Sequence, residues 1–256
     1  SQIAQKIASQ KPTVVVAITT PSAQTLAKTL QKSKTPLVFA AVTDPVQAHL
    51  VPTPHKSGRF ITGTIDFPPV KKQVELIKIM NENIRVVGIL YSLSESNAVA
   101  QVIAFERAAH QGGLRVVKVG VSKSSDIPQA SQRLLKQVDC VMVLNDNTIV
   151  SSIESLLLVA RKHSKPVFAS DPDSVKRGAL AALAHDQYQL GFQTGTMVAE
   201  LLEGKTIQEV TPQYPLHSNL YHNDETAALL DINPQLFKVA QKELLDQDIK
   251  TGPVKQ

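Results

Sequence analysis

Apolar residues along this chain alternate between short continuous runs and helical spacing. Residues 14–18 (VVVAI), 37–42 (LVFAAV), 86–91 (VVGILY), 138–144 (VDCVMVL) and 167–170 (VFAS) read as strands buried on both faces. Residues 60–67 (FITGTIDF), 115–119 (RVVKV) and 179–184 (ALAALA) read as further extended segments. Helices are predicted between them. Residues 22–31 place Ala23, Leu26, Ala27 and Leu30 on one face, and 70–81 do the same with Val74, Ile77 and the Ile79-Met80 pair. Residues 97–111 close on Gly112-Gly113. Asp126 is placed to cap a helix through 137, with Ile127, Ala130 and Leu134 in phase. Helices at 148–162 and 186–203 follow, the second ended by Gly204. In that second helix Gly191 and Gly195 lie one turn apart, which predicts a small face lying close on a sheet. Residues 1–11 predict an amphipathic helix with Ile3, Ile7 and Ala8 on one side, and 51–59, with two prolines and a glycine, read as loop.

Strands alternating with helices imply an α/β fold with parallel sheets flanked by helices. One phrase is written twice: PLVFAAVTDP at 36–45 and PVFASDP at 166–172. With what precedes them, 14–44 and 138–171 each read as strand, polar loop, helix, Ser-Lys segment, Pro, strand and Asp-Pro. Both are βαβ units, so equivalent loops should gather at the carboxyl ends of their strands. Those loops carry Thr19, Thr20 and Ser22 after the first strand and Asn145, Asp146, Asn147 and Thr148 after its later match. Thr43-Asp44 and Ser170-Asp171 follow the closing strands. A third loop, Ser92, Ser94, Glu95, Ser96 and Asn97, follows VVGILY. Ligands of open α/β sheets bind outside the carboxyl ends of strands, and helix N-termini suit a carboxylate. Taken singly, Ser22, Asp146 or Thr148 could simply cap a helix. The paired occurrence favours a ligand site.

Composition narrows the function. Hydrophobic residues make up 43% and charged residues 19%, the balance of a packed globular chain. Aromatics are 4% with no Trp, so a cleft lined by many of its own rings is not expected. The net charge of +5 is dispersed: Lys71-Lys72 and Arg161-Lys162-His163 are the densest groups, too short for a nucleic-acid surface. The single cysteine, Cys140, allows no internal disulfide and no cysteine metal cluster, and it sits in an apolar run as a structural thiol. The seven histidines form no HExxH pattern, and GxSxG, GxGxxG and P-loop patterns are absent, so neither an enzyme nor a metal or other cofactor is expected. No apolar run approaches a membrane span, and residues 1–11 do not read as a signal peptide.

At this point AITTPSAQTLA, PLVFAAVTDPVQAHLV, ITGTIDF, VGILYSLSESNA, DCVMVLNDNTIVSS, KPVFASDPDSVKRGALAAL and DQYQLGFQTGTMVAELLEGK resemble, in order, a known family. It is that of ABC-transporter substrate-binding proteins of the type-1 periplasmic-binding fold, in the subgroup of tryptophan and aromatic amino-acid binders. VPTPHKSGRF departs from the family's Gly-rich turn at that place. The resemblance implies two lobes, residues 1–63 with 186–212 and residues 64–185 with 213–256, clamping a small ligand, with an ABC permease as partner and a periplasmic or extracellular, membrane-associated location. It implies that Thr20, Ser22, Thr43, Ser94, Ser96, Asn97 and Thr148 serve a ligand carboxylate and that Glu95, Asp146 and Asp171 serve an ammonium. Thr19, Asp44 and Asn147 complete the candidate set. It also implies that the N-terminal lobe is incomplete, lacking a βαβ segment. The strand at 14–18 would then have an open edge that invites pairing with a second copy, a homodimer. A stand-alone small-molecule sensor of the same fold is the alternative.

Overall fold

The computed structural model describes residues 1–245. In chain order it runs α1 (Gln2–Ser9), β1 (Val15–Ile18), α2 (Thr20–Thr29), β2 (Leu37–Val42), β3 (Ile61–Ile65), α3 (Val70–Met80), β4 (Val86–Ser92), α4 (Ser96–Gln111), β5 (Arg115–Val121), α5 (Ile127–Leu134), β6 (Cys140–Val143), α6 (Asn147–Ser151), α7 (Ile153–Lys162), β7 (Val167–Ala169), α8 (Pro172–Lys176), β8 (Ala181–His185), α9 (Gln187–Leu202), β9 (Ser218–His222), α10 (Asp224–Leu229) and α11 (Gln235–Leu244). The chain divides into two compact units. Unit 1 is Ser1–Phe67 with His185–His217; unit 2 is Pro68–Ala184 with the chain from Ser218 on. The boundaries expected at 63/64, 185/186 and 212/213 thus fall at 67/68, 184/185 and 217/218.

Unit 1 holds a parallel sheet in the order β1-β2-β3. One face carries Val15, Ala17 and Phe39 against α1 and α2; on the other, Val38 packs with Met197 of α9 and Val210. Unit 2 holds a sheet in the order β5-β4-β6-β7-β8-β9, parallel from β5 to β8. Its inner strands β4, β6, β7 and β8 are buried on both faces, which is why they read as continuous apolar runs. Ile89, Met142, Phe168 and Leu183 meet α3, α4 and α11, while Leu90, Val141, Val143 and Ala169 meet α5 and α7.

Several local expectations are corrected. In α1 the buried residue is Ala4; Ile3 is 73% exposed, and Ile7 and Ala8 are partly buried. Asp126 ends a short 3-10 turn, Ser124–Asp126, and makes no side-chain cap to α5. The helix expected over 148–162 breaks at Ser152, whose φ of −131° and ψ of 29° separate α6 from α7. Gly191 and Gly195 do not face the sheet. A Cβ at either would meet nothing within 4 Å, and the sheet-facing residues of α9 are Leu190, Thr194 and Met197. Tyr188 and Phe192 flank those glycines on the exposed side. On β1, Val16 and Ile18 are also exposed, and among the described residues that strand pairs with β2 alone.

Gly63 is different in kind. Its φ is +156°, and a Cβ there would fall on the Phe39 carbonyl oxygen and ring. Gly63→Ala is expected to destabilise by about 2 kcal/mol or more. Gly191→Ala and Gly195→Ala, in an exposed helix interior with room for a methyl, should each stabilise by about 0.5–1 kcal/mol. Urea unfolding of the three variants separates these outcomes, and loss of stability at 191 or 195 would restore the packing role to those glycines.

Candidate functional site

The order of the unit 2 sheet reverses at β4. From β4 the chain goes to β5 on one side and then to β6 on the other, so the loops after β4 and β6 flank a topological switch point. Two carboxylates tie those loops together. Glu95, from the β4 loop, accepts hydrogen bonds from Asn147 N (3.0 Å), Asn147 Nδ2 (2.6 Å), Thr148 N (2.9 Å), Thr148 Oγ1 (2.7 Å) and Asn97 Nδ2 (3.3 Å). Asp146, from the β6 loop, accepts from Ser92 N (2.6 Å) and caps α6 through Thr148 N and Ile149 N (both 3.0 Å). Each loop therefore supplies the acid that satisfies the other.

The electrostatics of the two acids differ. Burial pushes the Glu95 carboxyl up, but bonds from the Thr148 and Asn147 side chains and backbone outweigh it and hold the group below its usual value. Burial pushes Asp146 up to about 6; the nearby Glu95 charge adds to the rise, and N–H groups of Ser92, Ile149 and Thr148 oppose it.

Asp171 is also engaged locally. It caps α8, accepting from Ser174 N (2.8 Å) and Ser174 Oγ (2.6 Å). Ser170, beside it, accepts from Gln73 Nε2 (3.2 Å), which also donates to Leu183 O (3.0 Å). So α6 and α8 begin with side-chain caps, whereas the longer α4 has none: its N-cap Glu95 spends its carboxylate on α6. At the start of α4, Asn97 is buried and its Oδ1 meets no donor among the described residues; the same holds for Gln73 Oε1. Ser94 and Asn147 are exposed, and Ser96 and Thr148 half-buried.

In unit 1 the β1–β2 ladder runs one residue past β1, since Thr19 N donates to Ala40 O at 3.0 Å, and the loops after both strands leave the same end of the parallel sheet. Thr19 sits at φ 72°, ψ 159°, a region almost confined to glycine, and it starts α2 without a side-chain cap. Thr20 and Thr43 are buried, and Ser22 is exposed. Ala41 has φ 53° at a β-bulge, where its N–H reaches Thr64 Oγ1 (3.3 Å), itself 2.8 Å from Thr194 Oγ1. Asp44 accepts from Val46 N (3.0 Å) and Gln47 N (2.9 Å), both on Oδ1. Asp66, just after β3, lies 2.7 Å from His185 Nδ1.

The structure thus gathers the candidates into two groups, one per unit. Ser94, Glu95, Ser96, Asn97, Asp146, Asn147 and Thr148 meet at the switch point, and Thr19, Thr20, Ser22, Thr43 and Asp44 line adjacent loop ends. Asp171 stands apart from the Glu95–Asp146 bonds, on the loop after β7. Sequence reading missed Gln73 and the Asp66–His185 pair. Neither carried a local signal, because each is placed by contacts far along the chain. Cys140 is fully buried and its thiol is pushed far up by burial, which suits a structural role. Among the described residues no group of three or more His, Cys, Asp or Glu side chains is arranged to hold a metal.

Comparison with known proteins gives three relevant likenesses. A family model described as ABC transporter substrate binding protein matches residues 1–243. The chain is 35% identical over 230 residues to a tyrosine-binding protein of Clostridioides difficile; the match covers 90% of this chain and 66% of that relative, so the chain spans just under two thirds of its length. Two solved structures superpose with a TM-score of 0.87, each over 93% of this chain and 80% of theirs. One is a conserved domain protein of Vibrio cholerae at 36% identity, the other an ABC domain of Streptococcus pneumoniae in complex with L-Trp at 32%.

The two acids give separate expectations. Glu95→Gln turns an amide N–H₂ toward groups that already donate, and should cost about 1–3 kcal/mol in urea unfolding. For Asp146, the folded value lies above the unfolded one. Its ionisation therefore costs stability as pH rises through about 6, and that cost is absent below the ordinary carboxylate range. Carbon-13 NMR of the Asp146 carboxyl should show a midpoint near 6; one in the ordinary carboxylate range would contradict the burial argument.

Proposed function

Because the chain belongs to the ABC transporter substrate-binding protein family, we propose that it captures a small solute and delivers it to a transporter permease. The solute in this reading is an amino acid with an aromatic side chain. The tyrosine-binding relative and the relative complexed with L-Trp support that choice. The protein would work in the periplasm or at the outer face of the cell, and its role needs no bond-making step.

The observation that carries the geometric part is the pattern of helix caps. In unit 2, α6 and α8 have their first N–H groups taken by Asp146, Glu95 and Asp171. In contrast, α4 and, in unit 1, α2 start without a side-chain cap. We assign anion-favouring character to each of these uncapped N-termini by itself, where N–H groups and the helix dipole suit a ligand carboxylate. Ser94, Ser96 and Asn97 stand at the first, and Thr19, Thr20 and Ser22 at the second, with Thr43 next to them. Glu95, Asp146 and Asp171 hold the walls in shape, with Asn147 and Thr148 as their partners. Asp44 is then the acid assigned to the ammonium.

A thermal-shift panel of the natural amino acids tests this. L-Tyr, L-Trp or L-Phe should raise the melting temperature by about 5 °C or more at roughly 100 times Kd. If no amino acid shifts it, the solute class is wrong.

A further inference from the structure

One aromatic ring is held at the loop end of unit 1 by a contact that spans most of the chain. Gln213 forms a parallel bridge with Thr64 of β3: Ile65 N donates to Gln213 O at 2.8 Å, and Gln213 N to Gly63 O at 3.0 Å. Because that bridge is parallel, the next residue, Tyr214, leaves the sheet toward the strands' carboxyl ends, where Thr43 and Asp44 follow β2. From α9, Gln193 Nε2 fixes the position by donating to Gln213 Oε1 (2.7 Å) and Tyr214 O (3.1 Å).

The backbone of Tyr214 is thus pinned while the residue remains 45% exposed. The ring of His55, from the loop before β3, lies beside it, with centroids 6.2 Å apart and planes tilted by 51°. Burial and the Asp44 charge both push the Tyr214 phenol up, which keeps it a neutral hydroxyl. In a chain with only 4% aromatics, a half-exposed ring so anchored beside a carboxylate needs an explanation. Packing within the unit does not supply one, because Tyr214 is absent from the apolar cores of unit 1.

We infer that Tyr214, flanked by His55 and Asp44, is the specificity-determining surface of unit 1: the aromatic side chain of a zwitterionic amino acid packs on its ring, and Asp44 takes the ammonium. This rests on the amino-acid-binding reading given above. It adds that the choice of an aromatic side chain is made by Tyr214, with His55 as the second ring. Offset or edge-to-face packing between two rings gives a preference that an aliphatic side chain does not share.

Calorimetric titration of the purified chain with L-Tyr, L-Trp and L-Leu tests this for wild type, Tyr214→Ala, Tyr214→Phe and His55→Ala, with circular dichroism and melting curves confirming folding. Tyr214→Ala should weaken L-Tyr and L-Trp by about tenfold while changing L-Leu by less than about threefold. Tyr214→Phe, which keeps the ring, should stay within about threefold of wild type. His55→Ala should act in the same direction as Tyr214→Ala, more weakly. If Tyr214→Ala binds the aromatic ligands like wild type, or loses all three ligands equally, Tyr214 is not the determinant, even though the protein binds amino acids. If wild type binds none of them, the amino-acid reading itself fails and the assignment of Tyr214 falls with it.

Discussion

Parallel strand pairing is the constraint on which the arrangement depends. A parallel pair cannot be closed by a tight turn, so each strand is followed by a crossover that returns the chain to the far end of the sheet. Every strand in β1–β3 and β4–β8 is therefore left through a loop on the same side of its sheet. Those loops carry Thr19, Thr43-Asp44, Ser94-Glu95, Asn145-Asp146 and Ser170-Asp171, while β4, β6, β7 and β8 are almost wholly apolar. The reversal of direction at β4 adds the second element. It separates two neighbouring loops, so the groups lining the gap must be held by something other than a helix packed above them.

That something is the exchange of carboxylates between Glu95 and Asp146. A buried acid costs free energy unless its lone pairs are filled; Glu95 is filled mainly by backbone and side-chain donors of Asn147 and Thr148, and Asp146 by Ser92 N at the end of β4 and by Thr148 N and Ile149 N of its own helix. The arrangement is asymmetric. Glu95 has the richer set of donors and holds its charge easily, whereas Asp146, deeper and next to a like charge, carries the strain of the pair. A pair of loops tied in this way is ordered by its own hydrogen bonds.

Much of the fold was legible in the sequence, for a physical reason. Strands covered on both faces are written as unbroken apolar runs, and the repeated PLVFAAVTDP and PVFASDP marked two of the βαβ units. What escaped was whatever lacks that signature. β9, SNLYH, is a sheet-edge strand with no fully buried residue, and nothing in its pattern demanded a strand. The break between α6 and α7 falls at a serine that either helix could have absorbed. Gly191 and Gly195 read as a packing face because spacing cannot tell which way a face turns. In the loops, the polar residues were legible but their hydrogen-bond partners were not. That Glu95, Asp146 and Asp171 accept N–H groups around them shows only in three dimensions. Tyr214 gave no sign, since its position is set by a bridge to Thr64.

The two units are interleaved along the chain: unit 1 begins, unit 2 is inserted, unit 1 resumes at His185, and unit 2 finishes from Ser218. This sets an order for synthesis on the ribosome. When β1–β3 emerge, the α9 side of their sheet has no partner, and Val38 stays uncovered until Met197 and Val210 are made. More than a hundred residues later, at about 5–20 residues per second, that is a delay on the order of ten seconds. The inserted unit, with β4–β8 contiguous in sequence, can form most of its sheet within that interval. The α9 side of the β1–β3 sheet is therefore a face that needs shielding for as long as the inserted unit is being made.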